Sequence, residues 1–232
     1  TEDEKNQGTA FIELGGGSTT IAVFEEGLLT HTGVIPVGGD HITKDISIVL
    51  KTPTDQAEQI KHQFGHAFYD DASDDELFEV PVVGTDSRDQ YSQRYISEII
   101  GARLEELFEL VIDELARLGV RDLPGGVVLT GGVAKLDGIA QLARQILQTR
   151  VRIYTPDYIG VREPSFTTAV GLIRYAYLED DFYGKGTNTQ PIEYAVVGAQ
   201  APASKKQEYA APSESKGSVI GRAKKLFDKF FD

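Results

Sequence analysis

The chain has 232 residues, of which 41% are hydrophobic and 25% charged, a composition typical of a folded globular protein. Its net charge of −13 argues against nucleic acid as a partner. The sequence contains no cysteine, which excludes a disulfide framework and a thiol nucleophile. It begins at Thr1 and contains no methionine, so we expect a fragment or a processed product.

A glycine-rich hairpin is predicted near the start of the chain. Residues 10–24 read as strand, turn and strand, with apolar residues on both sides of three glycines. Glu13 stands at the mouth of the turn, where a metal–phosphate complex would accept an oxygen ligand. Glycine amides and adjacent hydroxyls suit an anion, so we predict that phosphate is held by Gly15, Gly16, Gly17, Ser18, Thr19 and Thr20. The alternative is an ordinary glycine-rich turn without a ligand.

Further short strands are expected over residues 28–37, followed by a turn at Gly38 and Gly39. Asp40 is then a candidate N-cap for a helix over residues 41–50. A second helix is predicted near residues 55–64 and a strand over residues 77–83, with an acidic stretch between them. We interpret this block as a small α+β insertion with its own modest core.

The clearest helix is predicted over residues 91–118, where apolar residues recur every three or four positions and Gly119 follows as a cap. A buried strand then ends in Gly131 and Gly132. Ligands of open α/β sheets bind at the carboxyl ends of strands, which makes this pair a candidate nucleotide contact. A helix over 138–148, a strand over 151–154 and a helix over 165–177 follow. The last helix is expected to face inward through Ala169, Leu172, Ile173 and Ala176.

The C-terminal part changes character. Residues 184–215 are rich in small and polar residues and are predicted to form a flexible linker. Residues 216–232 carry five basic and two acidic side chains. Their apolar residues share one face of a helix: Val219, Ile220, Ala223, Leu226, Phe227, Phe230 and Phe231. Basic residues lie on or beside the other face: Arg222, Lys224, Lys225 and Lys229. Such a helix is too short to span a bilayer and is typical of one that lies in an anionic membrane surface. Docking on its own domain or in a partner's groove is the alternative.

These motifs together carry a resemblance to a known family. The hairpin over 12–20 resembles the second phosphate motif of the actin, chaperone and sugar-kinase superfamily, and residues 128–132 resemble its adenosine motif. The segments 37–46 (VGGDHITKDI) and 94–103 (RYISEIIGAR), with the basic C-terminal helix, resemble the FtsA family of bacterial actin-like cell-division proteins.

The resemblance implies an α/β fold, the actin-like ATPase (ribonuclease H-like) domain with a small α+β insertion and a C-terminal amphipathic helix. It implies the second half of such a protein. Residues 1–40 and 100–183 would form subdomain 2A, and residues 41–99 subdomain 2B. Residues 184–215 would be the linker and residues 216–232 the membrane-targeting helix.

The resemblance also implies function. ATP with Mg²⁺ would bind the glycines, and Glu98 and Arg103 would reach the adenine and ribose. Glu13 stands where the superfamily has Asp, which puts ATP hydrolysis in doubt but not binding. Subdomain 2B would bind the C-terminal peptide of FtsZ, the tubulin-like ring protein, with Arg88 and Arg94 as candidate contacts.

The implied protein forms actin-like filaments by self-association. It tethers the FtsZ ring to the cytoplasmic face of the cell membrane at the division septum and recruits later division proteins there. The alternative from a different class is the C-terminal half of a sugar- or acetate-kinase-type phosphotransferase, which shares the fold but has no use for a basic amphipathic tail.

Overall fold

The computed structural model describes residues 1–85 and 87–182. The predicted linker over 184–215 and the predicted membrane helix over 216–232 lie outside the described residues. The division of residues 1–183 into subdomains 2A and 2B stays a prediction.

A five-stranded mixed sheet forms the centre of the fold, with strand order β3-β2-β1-β6-β7. β1 (Thr9–Leu14), β2 (Thr19–Glu25) and β3 (Leu28–Ile35) form an antiparallel meander. β6 (Gly126–Thr130) pairs in parallel with β1, and β7 (Val151–Ile153) pairs in parallel with β6. The predicted glycine hairpin is confirmed. The parallel pairing of β1 with β6 brings the ends of both glycine motifs to the same edge of the sheet.

Six α-helices are described: α1 (Glu2–Gln7), α2 (Gly39–Leu50), α3 (Thr54–Phe64), α4 (Gln93–Arg117), α5 (Ile139–Leu147) and α6 (Thr167–Phe182). A separate two-stranded hairpin pairs β4 (Leu77–Pro81) with β5 (Arg88–Ser92). The sequence predicted helix from residue 91, but Tyr91 and Ser92 belong to β5. The Ser92 hydroxyl accepts from the amide of Tyr95 and caps the long helix, so α4 begins at Gln93.

Helix α2 begins two residues earlier than predicted, at Gly39. The N-cap is Gly38, and Asp40 lies inside the first turn. The amides of Gly39 and Asp40 donate to the carbonyls of Gly15 and Gly16, both at 2.9 Å. A Cβ on Gly38 would lie 2.9 Å from the carbonyl carbon of Gly16, so a side chain there would separate α2 from the glycine turn.

One continuous hydrophobic cluster unites the sheet, the helices and the β4–β5 hairpin. Leu104, Leu107 and Phe108 of α4 lie fully buried at its centre. Phe64 of α3 stacks on Phe78 of β4, with ring centroids 4.2 Å apart. The expectation that residues 41–90 have a core of their own is therefore wrong. Their apolar side chains extend the core of the sheet.

The predicted orientation of the last described helix is also wrong. Leu172 and Ile173 of α6 are 65% and 60% exposed, and Ala169 and Ala176 are exposed too. The helical period identifies an apolar face correctly, but within the described residues no element covers that face. Tyr175, Tyr177 and Leu178 add to the same exposed apolar surface.

Candidate functional site

A cavity of about 660 Å³ lies beside the glycine turn. Four parts of the chain line it: the turn with the start of α2, α3 and the residue that follows it, the first residue of α4, and the segment after β6. Its lining includes Gly16, Asp40, Glu58, Lys61, Gly132 and Lys135. Both predicted glycine motifs therefore reach the same cavity, as the parallel pairing of β1 and β6 requires.

The glycine turn, of which Gly16 lines this cavity, carries amides that could bind a ligand. The amide of Gly15 donates to Ser18 O at 3.0 Å and closes the turn. The amides of Gly16 and Gly17 donate to no backbone carbonyl anywhere in residues 1–85 and 87–182. A Cβ on Gly17 would meet nothing within 4 Å, so the turn faces open space. Exposed, convergent amides with room in front of them are what an anion such as phosphate needs.

The start of α2 is not itself the anion site. Its first amides, on Gly39 and Asp40, are already bonded to the turn's carbonyls. Those bonds fix the turn, and the carboxylate of Asp40 lies against Gly16. An anion would therefore meet the amides of the turn, while α2 supplies rigidity.

The three hydroxyls that follow the glycines have different environments. Thr19 is fully buried, and its hydroxyl donates to Val37 O at 2.8 Å. Its role is to hold the hairpin against the segment leading to α2. Ser18 and Thr20 are only partly buried. Of the predicted hydroxyl contacts, these two remain available to a ligand.

The glycine pair after β6 divides its work between packing and the cavity. Gly131 has φ +94°, and a Cβ there would lie 2.8 Å from the carbonyl carbon of Leu14. Glycine at this position lets the end of β6 approach the end of β1. Gly132 instead faces open space and lines the cavity.

Two charged residues of α3 that were not predicted from the sequence also line the cavity. Lys61 is buried, and its ammonium donates to Gly39 O at 3.2 Å, to Thr43 Oγ1 at 2.8 Å and to Glu58 Oε2 at 2.7 Å. Burial tends to raise the pKa of Glu58, but the hydrogen bonds from Lys61 and Thr43 outweigh it, and the pKa is held below its usual range. Their spacing of three residues, one helical turn apart, was the available signal.

The structure does not bring Glu98 and Arg103 to this cavity. Arg103 forms a two-bonded ion pair with Asp45 of α2, with Nε–Oδ2 and Nη2–Oδ1 distances of 2.6 and 3.0 Å. The hydrogen bonds that Arg103 donates to Asp45 raise the pKa of Arg103. Glu98 lies 3.8 Å from Arg94. Both predicted nucleoside contacts lie in charge pairs, Arg103 with Asp45 and Glu98 with Arg94, and their contact with a nucleoside stays a prediction.

Arg88 and Arg94 have acidic neighbours of their own. Arg88 lies 3.6 Å from Glu79 across the β4–β5 hairpin. Arg94 lies 3.8 Å from Asp70, 3.8 Å from Glu98 and 4.0 Å from Asp74. An acidic peptide at Arg94 would have to compete with three carboxylates.

Glu13 lies partly buried at the end of β1, where its carboxylate accepts a hydrogen bond from the hydroxyl of Thr168 in α6. Among the described residues, no three His, Asp or Glu side chains lie close enough together to hold a metal ion by themselves. The carboxylates that the structure places near the turn are that of Asp40, which lies against Gly16, and that of Glu13 at the end of β1. This sparse oxygen set fits Mg²⁺ that arrives with, and is mostly ligated by, a nucleotide's phosphates.

No helix within residues 1–85 and 87–182 is both long enough and apolar enough to cross a membrane. The predicted membrane-binding residues of the tail lie outside the described residues.

Comparison with solved structures defines the class of protein. The chain is similar to MreB 5 of Spiroplasma citri bound to AMPPNP, with a TM-score of 0.61 and 20% identity over 78% of this chain and 56% of that one. It is also similar to MamK in a double helical filament, with a TM-score of 0.56 and 17% identity over 73% and 54% of the two chains. The fold is the actin-like ATPase fold, which confirms the predicted class.

Sequence comparison then defines the family. The model of the cell division protein FtsA matches residues 10–171. The chain is 52% identical over 196 residues to FtsA of Bacillus subtilis (strain 168), covering 84% of this chain and 44% of that protein. The chain belongs to the FtsA family of cell division proteins, as the sequence resemblance implied. It spans about half the length of the curated relatives it matches.

Proposed function

We propose that the cavity beside the glycine turn binds ATP together with Mg²⁺. The observation that carries the proposal is that Gly16, whose amide donates to no backbone carbonyl among the described residues, lines one cavity together with Gly132 and the Glu58–Lys61 pair. The similarity to an MreB bound to AMPPNP supports the same ligand class.

The lining suggests how the ligand would lie. The phosphates would meet the turn and the hydroxyls of Ser18 and Thr20, and Mg²⁺ would supply charge neutralisation there. The Glu58 carboxylate, one helical turn from Lys61, accepts hydrogen bonds and would suit the hydroxyls of the sugar. Gly132, in the segment after β6, faces open space and leaves room for the nucleoside. Whether the bound ATP is hydrolysed depends on Glu13, whose carboxylate Thr168 engages.

We further propose that the protein of which this chain is a part works in cell division as a self-assembling scaffold. Family membership supports the process, and the fold shared with the MamK filament supports assembly from copies of the same chain. In this proposal the scaffold lies on the cytoplasmic face of the cell membrane at the septum, tethers the FtsZ ring there and recruits later division proteins.

The tail would provide the membrane contact. Its apolar face includes Leu226, Phe227, Phe230 and Phe231, and its basic residues would each contribute about 1 kcal/mol near an anionic lipid surface. The polar linker before it would give the tether reach without fixing its orientation.

The FtsZ C-terminal peptide would bind elsewhere than at Arg88 and Arg94. An apolar groove of about 380 Å³ runs between α2 and α4, with Ile48 and Val49 exposed on one side and Ile99 on the other. Arg103 lies at its edge beside Asp45 and Glu106. Exposed aliphatic side chains next to a charged rim suit a short peptide with apolar anchors.

Two experiments test this function. Titration of the chain with Mg–ATP, followed by ligand-observed NMR, should detect binding that Gly132→Val abolishes, since the valine side chain would fill the open space there. A pull-down with the FtsZ C-terminal peptide should lose the chain on Ile48→Lys and keep it on Arg94→Gln. Equal binding of Mg–ATP by the parent and the Gly132→Val variant would contradict the nucleotide site, and retention of the Ile48→Lys variant would contradict the groove.

The kinase alternative has no further support. The family match covers residues 10–171, including both glycine motifs and the insertion between them, and it assigns them to the cell division family.

A further inference from the structure

Two adjacent threonines at the start of α6 hold the ends of two neighbouring strands. The hydroxyl of Thr168 donates to Glu13 Oε1 at the end of β1. The hydroxyls of Thr167 and Thr130 lie 2.6 Å apart, and Thr130 is the last residue of β6. Each strand end leads directly into one glycine motif, so α6 is bonded to both sides of the candidate nucleotide site.

The chain just before α6 strengthens the same connection. Pro164 O accepts from the amide of Gly131 at 3.2 Å and from the hydroxyl of Thr130 at 3.2 Å. Beyond this first turn α6 is largely exposed, with Leu172 and Ile173 more than half accessible. The helix is thus attached at its N-terminal end, and nothing in residues 1–85 and 87–182 covers the apolar face that follows.

The two threonine contacts differ in kind. Thr167 bonds the hydroxyl of Thr130, which is buried and also contacts the carbonyls of Tyr154 and Pro164, so this contact is a structural attachment. Thr168 bonds a carboxylate that the proposed Mg–ATP complex would engage. A carboxylate has two oxygens, and Thr168 occupies one of them, which orients the group and leaves the other for the turn.

We propose that Thr168 is a positioning residue for Glu13, and that this pair couples occupancy of the glycine turn to the position of α6. The inference rests on the proposed nucleotide function. When a Mg–phosphate complex draws on the Glu13 carboxylate, the hydroxyl of Thr168 must follow it or lose its acceptor. Coupling between two sites is reciprocal. If Mg–ATP changes the affinity of a partner that covers and moves α6, that partner changes the affinity for Mg–ATP by the same factor.

The metal-dependent part of ATP affinity tests the positioning role in the full 232-residue chain. Dissociation constants for ATP are measured with EDTA and with Mg²⁺. The ratio of the EDTA value to the Mg²⁺ value, which is the gain in affinity due to the metal, is compared among variants. Thr168→Val should reduce the ratio about fivefold, the equivalent of one hydrogen bond, and Thr168→Ser should preserve it. Glu13→Gln should reduce it similarly, and the Thr168→Val/Glu13→Gln double variant should lose no more than the single ones.

Thr167→Val is the matched control, since it removes a neighbouring hydroxyl contact that does not involve Glu13. A purely structural role of Thr168 would weaken ATP binding equally with and without Mg²⁺, and that result would overturn the proposal. An unchanged ratio in Thr168→Val would overturn it as well.

Hydrogen exchange without nucleotide provides an independent measurement. Amides of residues 164–171 should exchange faster in Thr168→Val than in the parent and at the parent's rate in Thr168→Ser. Identical exchange in the parent and Thr168→Val would overturn the attachment of α6 through Glu13. If the parent binds no ATP in either condition, the proposed nucleotide function fails and the coupling fails with it, whereas the exchange rates still decide the Thr168–Glu13 attachment.

Discussion

Glu4 of α1 and Arg152 of β7 form a two-bonded ion pair that joins segments 148 residues apart, with Arg152 Nη2 2.6 Å from Glu4 Oε2. The hydrogen bond from Arg152 is the largest cause that lowers the pKa of Glu4, from 4.5 to about 2. The pair therefore stabilises the fold fully above the ordinary carboxyl pKa. Its contribution falls as the pH drops from about 4.5 towards 2 and Glu4 becomes protonated.

Glu4→Gln should lower the free energy of unfolding by about 1 kcal/mol at pH 7, a discounted value because Arg152 is partly exposed. Urea unfolding at pH 7, 4 and 3 measures the difference, which should shrink as the pH falls. Glu2→Gln is the control, because Glu2 is 81% exposed and bonds only Lys5 in the same helix. A difference between parent and Glu4→Gln that stays constant from pH 7 to pH 3 would contradict the assigned pKa.

The two neighbouring glycines after β6 should respond differently to the same substitution. Gly131→Ala places a methyl group against the backbone of Leu14 at a φ of +94°, and we expect a loss of about 2–4 kcal/mol. Gly132→Ala adds the same methyl group in open space, so its unfolding free energy should match that of the parent. Thermal and urea unfolding of both variants make the measurement. Equal destabilisation would mean that Gly131 has no special packing role.

Features that depend on local sequence could be predicted, whereas those that depend on tertiary packing could not. The glycine hairpin and α4 follow from local patterns, namely alternation, a run of glycines and an apolar face repeated over 25 residues. The position of Lys61 and Glu58 at the cavity could not be predicted, because it depends on how α2 packs on α3. Arg103 is a predicted nucleoside contact by family resemblance, and its ion pair with Asp45, 58 residues away, could not be predicted from local sequence. The apolar face of α6 was recognised, but periodicity does not reveal whether another element covers it.

Lys61, the partner of the proposed sugar contact Glu58, is expected to act at the sugar end of the cavity and not at the phosphates. Lys61→Met should weaken ATP binding about tenfold, the cost of one charge-assisted hydrogen bond, and leave binding of inorganic triphosphate unchanged. Lys135→Met is the control, since Lys135 lines the same cavity from the segment after β6 and its ammonium is likewise paired with a carboxylate, that of Glu163 at 2.7 Å. Competition against a fluorescent ATP analogue gives both affinities. An equal loss of triphosphate binding would place Lys61 at the phosphates.

The isolated chain should nevertheless bind ATP weakly. Actin-like folds hold nucleotide between two halves, and this chain spans about half the length of its relatives. Calorimetry on residues 1–183 is expected to give an affinity weaker than micromolar. A micromolar dissociation constant would show that the described cavity suffices without a second half.

The tail is expected to contribute to membrane binding and not to folding. Deletion of residues 217–232 should leave the thermal unfolding temperature nearly unchanged, whereas a loss of several degrees would place the tail in the core.

With anionic vesicles, the parent chain should float and the Phe227→Glu/Phe230→Glu variant should stay in solution, because two charges on the apolar face oppose insertion. The charge-matched control is Gln200→Glu/Gln207→Glu in the predicted linker, which should float like the parent. Failure of the parent to float, or flotation of the Phe227→Glu/Phe230→Glu variant, would contradict the tether.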